Sequence, residues 1–196
     1  MKGDASKGKI IVLSAPSGSG KSTIISHLMK NPELKLDFSI SATSRKPRGE
    51  EKHGKEYFFF TEEEFKRNVA EGNFVEWEEV YPGVCYGTLV SEVERITNRG
   101  HNLIMDVDVK GAFSIKKRFG EDVLTVFIMP PDKKTLEERL RNRGTDSEET
   151  IEKRLKKSEY EMSFADQFDA VVVNDNLSEA VKATETLIKT FITSRQ

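Results

Sequence analysis

Four apolar runs punctuate an otherwise polar chain: Ile10 to Leu13, Leu103 to Val107, Val123 to Met129 and Ala170 to Val173. Each is short and rich in β-branched residues. Strands that read this way are buried on both faces, which predicts the core of a parallel sheet rather than a sheet with one wet side. The stretches between them carry helical patterns. These are Ser22 to Met29, Val109 to Phe119, Lys133 to Asn142 with Leu136 and Leu140 four apart, Glu149 to Phe164, and Glu179 to Phe191 behind Ser178 at an N-cap position. Pro130-Pro131 closes one strand and sets up the next helix. Strand and helix in alternation predict an α/β fold, a parallel sheet with helices on both faces.

Two segments break the alternation and read as insertions. Residues 38–90 hold strand-like Phe38 to Ser44, Tyr57 to Phe60 and Phe74 to Tyr81, with a helix opened by the capping box Thr61-x-x-Glu64, and predict a small mixed α/β lobe. Residues 139–160 alternate basic and acidic positions with few apolar ones, which suits a mobile helical lid or an ordinary solvated helix pair. The core domain is then residues 1–37, 91–138 and 161–196.

Composition narrows the class. A chain of 196 residues can bury one ample core with small inserted lobes. The formal net charge of −2 provides no general basic field for nucleic acid, so any anion site must be built locally. One cysteine, Cys85, excludes an internal disulfide framework, and His27, His53 and His101 lie far apart without metal-ligand spacing. The first residues are polar, and no apolar run approaches the roughly 18–20 residues of a membrane span, so a cytoplasmic protein with no membrane partner is expected.

Directly after the first strand run stand Ala15, Pro16, Ser17, Gly18, Ser19, Gly20, Lys21, Ser22 and Thr23. A buried strand feeding a glycine-containing turn and then a helix is a phosphate cradle. Backbone N–H groups wrap the phosphates, the Lys21 ammonium reaches the β- and γ-phosphates, and the Ser22 hydroxyl can ligate Mg²⁺. The strict pattern starts with Gly, and Ala15 stands there; its methyl is tolerable if the residue keeps negative φ. The plain alternative is a Gly/Ser-rich turn with an exposed lysine.

The inserted lobe separates the many users of such a cradle. Ser41 to Arg48 carries three cations, Arg45, Lys46 and Arg48, at what should be a strand-to-loop junction, and planar guanidiniums bind phosphate oxygens bidentately. Glu76 lies in the apolar stretch Phe74 to Trp77, with Tyr81, Tyr86 and Thr88 following. A carboxylate can accept both N1–H and the 2-amino group of guanine, whereas adenine presents an unprotonated N1 there.

In this order the motifs resemble those of bacterial-type guanylate kinases, from about residue 8 to the last helix. The resemblance implies a P-loop nucleoside monophosphate kinase fold and reversible, Mg²⁺-dependent transfer of the ATP γ-phosphoryl group to GMP in purine nucleotide metabolism. On the GMP side it implies Ser41, Arg45, Arg48, Tyr57 and Tyr86 around the acceptor phosphate, with Glu76 and Thr88 on the guanine. Asp106 and Asp108 resemble the acidic motif closing that site, and Lys110 stands where the family has Gln. On the ATP side it implies residues 15 to 23, lid arginines Arg139, Arg143 and Arg154 over the phosphates, and Asn174 and Asp175 beside the adenine. Lys21, Arg45 and the lid arginines would be the catalytic cations. Two alternatives remain: a non-catalytic guanylate-kinase-like module binding phosphorylated partners, and a P-loop kinase with another acceptor. Each aspartate could instead be a strand-end cap, and each lid arginine a helical partner of Glu137, Glu138 or Glu149 to Glu152.

Overall fold

A computed structural model of the chain describes residues 7–142 and 147–194. Strand β1 (Ile10–Ser14) is buried along its whole length and runs into the loop that precedes helix α1 (Lys21–Leu28). Strand β2 (Leu36–Phe38) follows, then β3 (Ala42–Thr43), β4 (Phe58–Phe59), helix α2 (Glu62–Ala70), β5 (Phe74–Tyr81) and β6 (Val84–Leu89). The chain returns through α3 (Val90–Thr97) to β7 (Asn102–Asp106), α4 (Val109–Phe119) and β8 (Val123–Met129). Helices α5 (Lys133–Arg141) and α6 (Glu148–Met162), strand β9 (Ala170–Val173) and helix α7 (Leu177–Thr193) complete it.

Five strands form the main sheet in the order β2-β7-β1-β8-β9, every pairing parallel. Because side chains alternate along a strand, β1 feeds two cores. Ile10 and Val12 join Val93 and Ile96 of α3 and Ala112 and Ile115 of α4, while Ile11 and Leu13 join Ile24 and Leu28 of α1 and Ala180 and Ile188 of α7. The runs of β1, β7 and β8 are therefore the residues of a sheet covered on both sides, whereas β9, expected to be buried on both faces, is an edge strand that leaves Val171 and Val173 exposed.

The other sheet, order β4-β3-β6-β5, carries a core of its own. Ala42, Phe65, Phe74, Cys85 and Leu89 fill it, with the Phe65 and Phe74 rings stacked at 4.4 Å. The Thr61 capping box forms as its residues predict, Thr61 Oγ1 accepting from the Glu64 N–H and Glu64 accepting from the Thr61 N–H. Two contacts fix the small sheet to the main one. Buried Glu92 on α3 accepts from the Ile40 N–H at 2.8 Å while paired to Arg95, and Arg118 on α4 donates to the Phe74 carbonyl at 2.7 Å.

Three sequence expectations are corrected. Phe38 to Ser44 is not one strand: Phe38 ends β2 in the parallel sheet, paired with Ile104, and Ala42–Thr43 belongs to the small sheet. The change of sheet falls where Glu92 takes the Ile40 N–H out of any strand ladder. Strand β6 fills the stretch read only as aromatic and hydroxyl neighbours of Glu76, and helix α3 one for which the sequence predicts no element. Ser178 is not the cap of α7; Asn176 is, its side chain accepting from the Glu179 N–H, so the helix starts at Leu177. Among the described residues, no helix is long and apolar enough to cross a membrane.

Candidate active site

The loop between β1 and α1 is tied down from inside. Ser19 is buried and its hydroxyl donates to the Pro16 carbonyl at 2.8 Å, while the Asn174 amide donates to the Ser19 carbonyl at 2.7 Å. Gly18 and Gly20 sit at φ of +94° and +85°, conformations costly for any residue with a Cβ. At Gly20 a Cβ would also collide with the Asn174 amide. Ala15 keeps negative φ, since Lys35 is the one non-glycine residue with positive φ among those described, and packs against the core. No side chain caps α1, so the free N–H groups of its first turn are left for an anion.

Those residues open on a cavity of about 380 Å³, lined by Ala15 to Gly18 and Gly20 to Thr23 on one side. Arg154, Lys157, Ser158 and Glu161 of α6 line it on another. Lys21 is ion-paired with Asp106 at the end of β7. Burial pushes the Glu161 carboxyl up, an effect that Lys157 and Lys21 oppose.

A larger cleft of about 760 Å³ lies between the small sheet and the ends of the parallel strands. Glu76 on β5 stands opposite Thr88 on β6 and lines it, with Ser41, Trp77 and Tyr86. Burial pushes the Glu76 carboxyl up, hydrogen bonding from Thr88 works against this, and nearby Asp108 adds to it. Gly87 lets β5 and β6 approach here: a Cβ would lie 2.7 Å from the Glu76 carbonyl oxygen and 2.8 Å from the Trp77 Cβ.

Beside the cleft, Arg45 Nε donates to the Tyr86 hydroxyl at 3.1 Å, and its guanidinium lies 5.0 Å from the centre of the Tyr57 ring. Tyr57 and Tyr86 meet edge to face at 5.9 Å. The two cavities share one wall, Asp106, Val107 and Asp108, so the turn after β7 lines both. Asp108 does cap α4, accepting from the Gly111 N–H at 2.7 Å, yet it still faces both cavities.

The structure thus gathers most of the sequence-picked residues, but not all. Arg48 is exposed and, like Arg45 and Tyr57, is not among the residues lining the cleft. Arg139 is directed at the Asn174 carbonyl, 3.0 Å away, instead of lining the phosphate cavity. Asn174 is buried beneath the loop with its amide committed to the Ser19 carbonyl, and Asp175 is exposed. Arg143 lies outside the described residues. Lys110 is exposed on the cleft wall.

Sequence reasoning passed over Lys157, Ser158 and Glu161, although with Arg154 they follow the i, i+3, i+4, i+7 spacing of one helix face. It also passed over Glu51, three residues beyond Arg48, which pairs with Arg45. An acid directly after a basic run was the available signal.

Comparison with known proteins agrees with this geometry. The guanylate kinase family model matches residues 7–191. A guanylate kinase of Bacteroides thetaiotaomicron is 54% identical over 185 residues, covering 94% of this chain and 90% of the relative. One from Porphyromonas gingivalis is 53% identical over 184 residues, covering 94% and 98%. The crystal structure of guanylate kinase from Anaplasma phagocytophilum superposes with a TM-score of 0.70 at 31% identity, covering 96% of this chain and 88% of that one. With a family match over nearly its whole length and relatives above half identity, the chain belongs to the guanylate kinase family.

Proposed function

We propose that the chain transfers the γ-phosphoryl group of ATP to GMP, giving ADP and GDP, with the donor in the cavity at the head of α1 and the acceptor in the cleft under the small sheet. The observation that carries this is the shared wall: two cavities, one headed by a helix N-terminus and a lysine, the other walled by the half-buried Glu76 carboxylate, meet at Asp106 to Asp108.

The backbone of residues 15 to 23 cradles the ATP phosphates, and Lys21 moves from Asp106 to the transferring group. Glu76 accepts from guanine N1–H and N2–H, with Thr88 beside it and Asp108 closing the base. Tyr57, Tyr86, Arg45, Arg48 and Ser41 hold the acceptor phosphate. Arg139, Arg143 and Arg154 belong to the lid of residues 139–160. Arg154, on the cavity wall, is the one nearest its task; Arg139 has first to leave Asn174. Phosphoryl transfer needs alignment and charge rather than a nucleophilic side chain, so these groups supply most of what the reaction asks.

Mg²⁺ fits the donor cavity as an ion that arrives with the nucleotide. Among the described residues no cluster of three His, Cys, Asp or Glu could hold a metal alone, while the exposed Ser22 hydroxyl and Asp106 offer the hard oxygen donors that Mg²⁺ takes beside phosphate. When bound, it would neutralise charge on the donor phosphates. Cytoplasmic location and freedom from nucleic-acid and membrane partners are the simplest setting for this chemistry.

The test is an ADP-release assay with Mg-ATP against GMP, dGMP, AMP, CMP, UMP and dTMP. Turnover confined to guanine nucleotides is expected. Turnover with another base overturns the role of Glu76, and GMP binding without turnover points to a binding module.

A further inference from the structure

An arginine that is to grip a phosphate normally keeps its fork of N–H groups available, and Arg45 does not. Of the five N–H groups of a guanidinium, four are engaged here. Nε donates to the Tyr86 hydroxyl at 3.1 Å, Nη1 to Glu51 Oε2 at 2.6 Å and to the Lys46 carbonyl at 2.9 Å, and Nη2 to Glu51 Oε1 at 2.8 Å. The plane is further held near the rings of Tyr57 and Phe59, 5.0 and 5.6 Å from their centres. Glu51 is held in its turn, because Oε2 also accepts from the Arg48 N–H at 2.8 Å. One acidic side chain therefore fixes the orientation of Arg45 and the backbone of Arg48 together.

We propose that Glu51 is a positioning residue for the acceptor phosphate: it stays paired during the reaction and sets Arg45, with its one remaining N–H, beside the hydroxyls of Tyr57 and Tyr86. The proposal rests on reading the cleft as the GMP site. The opposite idea, that Glu51 imitates a phosphate and is pushed out by it, requires breaking the bidentate pair and the Arg48 N–H contact together. The Arg45 guanidinium beside it holds the Glu51 carboxyl down at about 2, so the pair stays ionised through any pH at which the chain would work. Bidentate geometry fixes direction as well as distance, and direction is what a long, many-rotamer arginine otherwise lacks.

The two ideas differ in sign. Simple charge counting says that removing an anion next to a phosphate site tightens GMP; positioning says that it loosens it. Titration calorimetry with GMP and with guanosine, on wild type, Glu51→Gln and Arg45→Lys, separates them. For E51Q we expect GMP affinity to fall about 10-fold or more, guanosine affinity to stay as in wild type, and kcat at saturating GMP to change far less than KM. R45K should behave like E51Q, and the double variant should be little worse than either, since Glu51 acts through Arg45. Unchanged or tighter GMP binding by E51Q overturns the proposal, as does equal loss of GMP and guanosine, which would mean general damage to the lobe. Should E51Q melt early, Glu51→Asp keeps the charge one methylene short, and wild-type GMP affinity there also overturns it. A wild-type protein that binds no GMP would overturn the reading of the cleft, and this proposal with it.

Discussion

Glu76 is placed where its charge is disfavoured. Burial raises its carboxyl, and Thr88 recovers only part of the loss. A carboxyl raised in the folded state stabilises the fold in its protonated form, and that contribution disappears as pH rises through the folded value, so ionised Glu76 costs stability near neutrality. Glu76→Gln should therefore raise the melting temperature at neutral pH, and the gain should shrink in acid, where wild-type Glu76 is itself neutral. The same substitution should weaken GMP binding by about 1–3 kcal/mol, roughly 5- to 150-fold, while ATP binding holds. Melting curves across pH and nucleotide titrations check both; a lower melting temperature at neutral pH would remove the conflict from this position. At this scale the sequence is legible where a function demands a residue type at fixed local spacing, as with Gly18, Gly20 and Lys21. It is silent on Gly87, whose requirement comes from the backbone of the neighbouring strand, and marks Glu51 only as an acid beyond a basic run, without showing that its partner is Arg45, six residues away across a turn.

The elements were legible where burial is two-sided and unreadable where pairing is short. β8 and α4 fall at the limits their hydrophobic runs imply, since a fully apolar buried strand or a strong helical stripe leaves little choice; β9 and β5 keep their expected limits although Val171, Val173 and the outer part of β5 are exposed. β3 and β4 are two residues each, too short to carry a period, and their existence depends on β3 pairing with β6 and β4 pairing with β3. The end of β9 matters more than its apolar run suggests. Asn174, just beyond it, links the phosphate loop to α5, its amide on Ser19 and its carbonyl under Arg139. Asn174→Ala leaves the Ser19 carbonyl without that partner in a buried place, which should cost about 1–3 kcal/mol of stability. It should also raise KM for ATP with little change in KM for GMP. Kinetics showing both KM values shifted alike would mean that the contact serves the whole fold rather than the loop.

At the level of the molecule, the arrangement is a parallel sheet bearing two accessory parts, the small sheet and the helical pair α5–α6, with the turn Asp106 to Asp108 lining the cavity beside each. We expect ligands in the two cavities to feel each other through Asp106 to Asp108. A non-hydrolysable ATP analogue should change the GMP dissociation constant, and GMP should change that of the analogue by the same factor, as linkage requires. Calorimetry of each ligand with and without the other measures this, and strictly independent affinities would mean that the shared wall transmits nothing. The fold class was readable because alternation of strand and helix is a property of the whole chain. How the accessory parts lean on the wall was not, because it depends on contacts such as Arg118 to the Phe74 carbonyl, made 44 residues apart.

The clasp between Glu92 and the Ile40 N–H has its own implication. It brings the departure and return of the chain at the small sheet to one spot, a closed neck that Arg118 on the Phe74 carbonyl and Val75 in the main core reinforce. On the proposed reading, a neck of that kind makes the portion facing GMP exchangeable: another segment with compatible ends could be grafted there, and the base chosen for phosphorylation changed, while β1, the loop after it and α1 remain untouched.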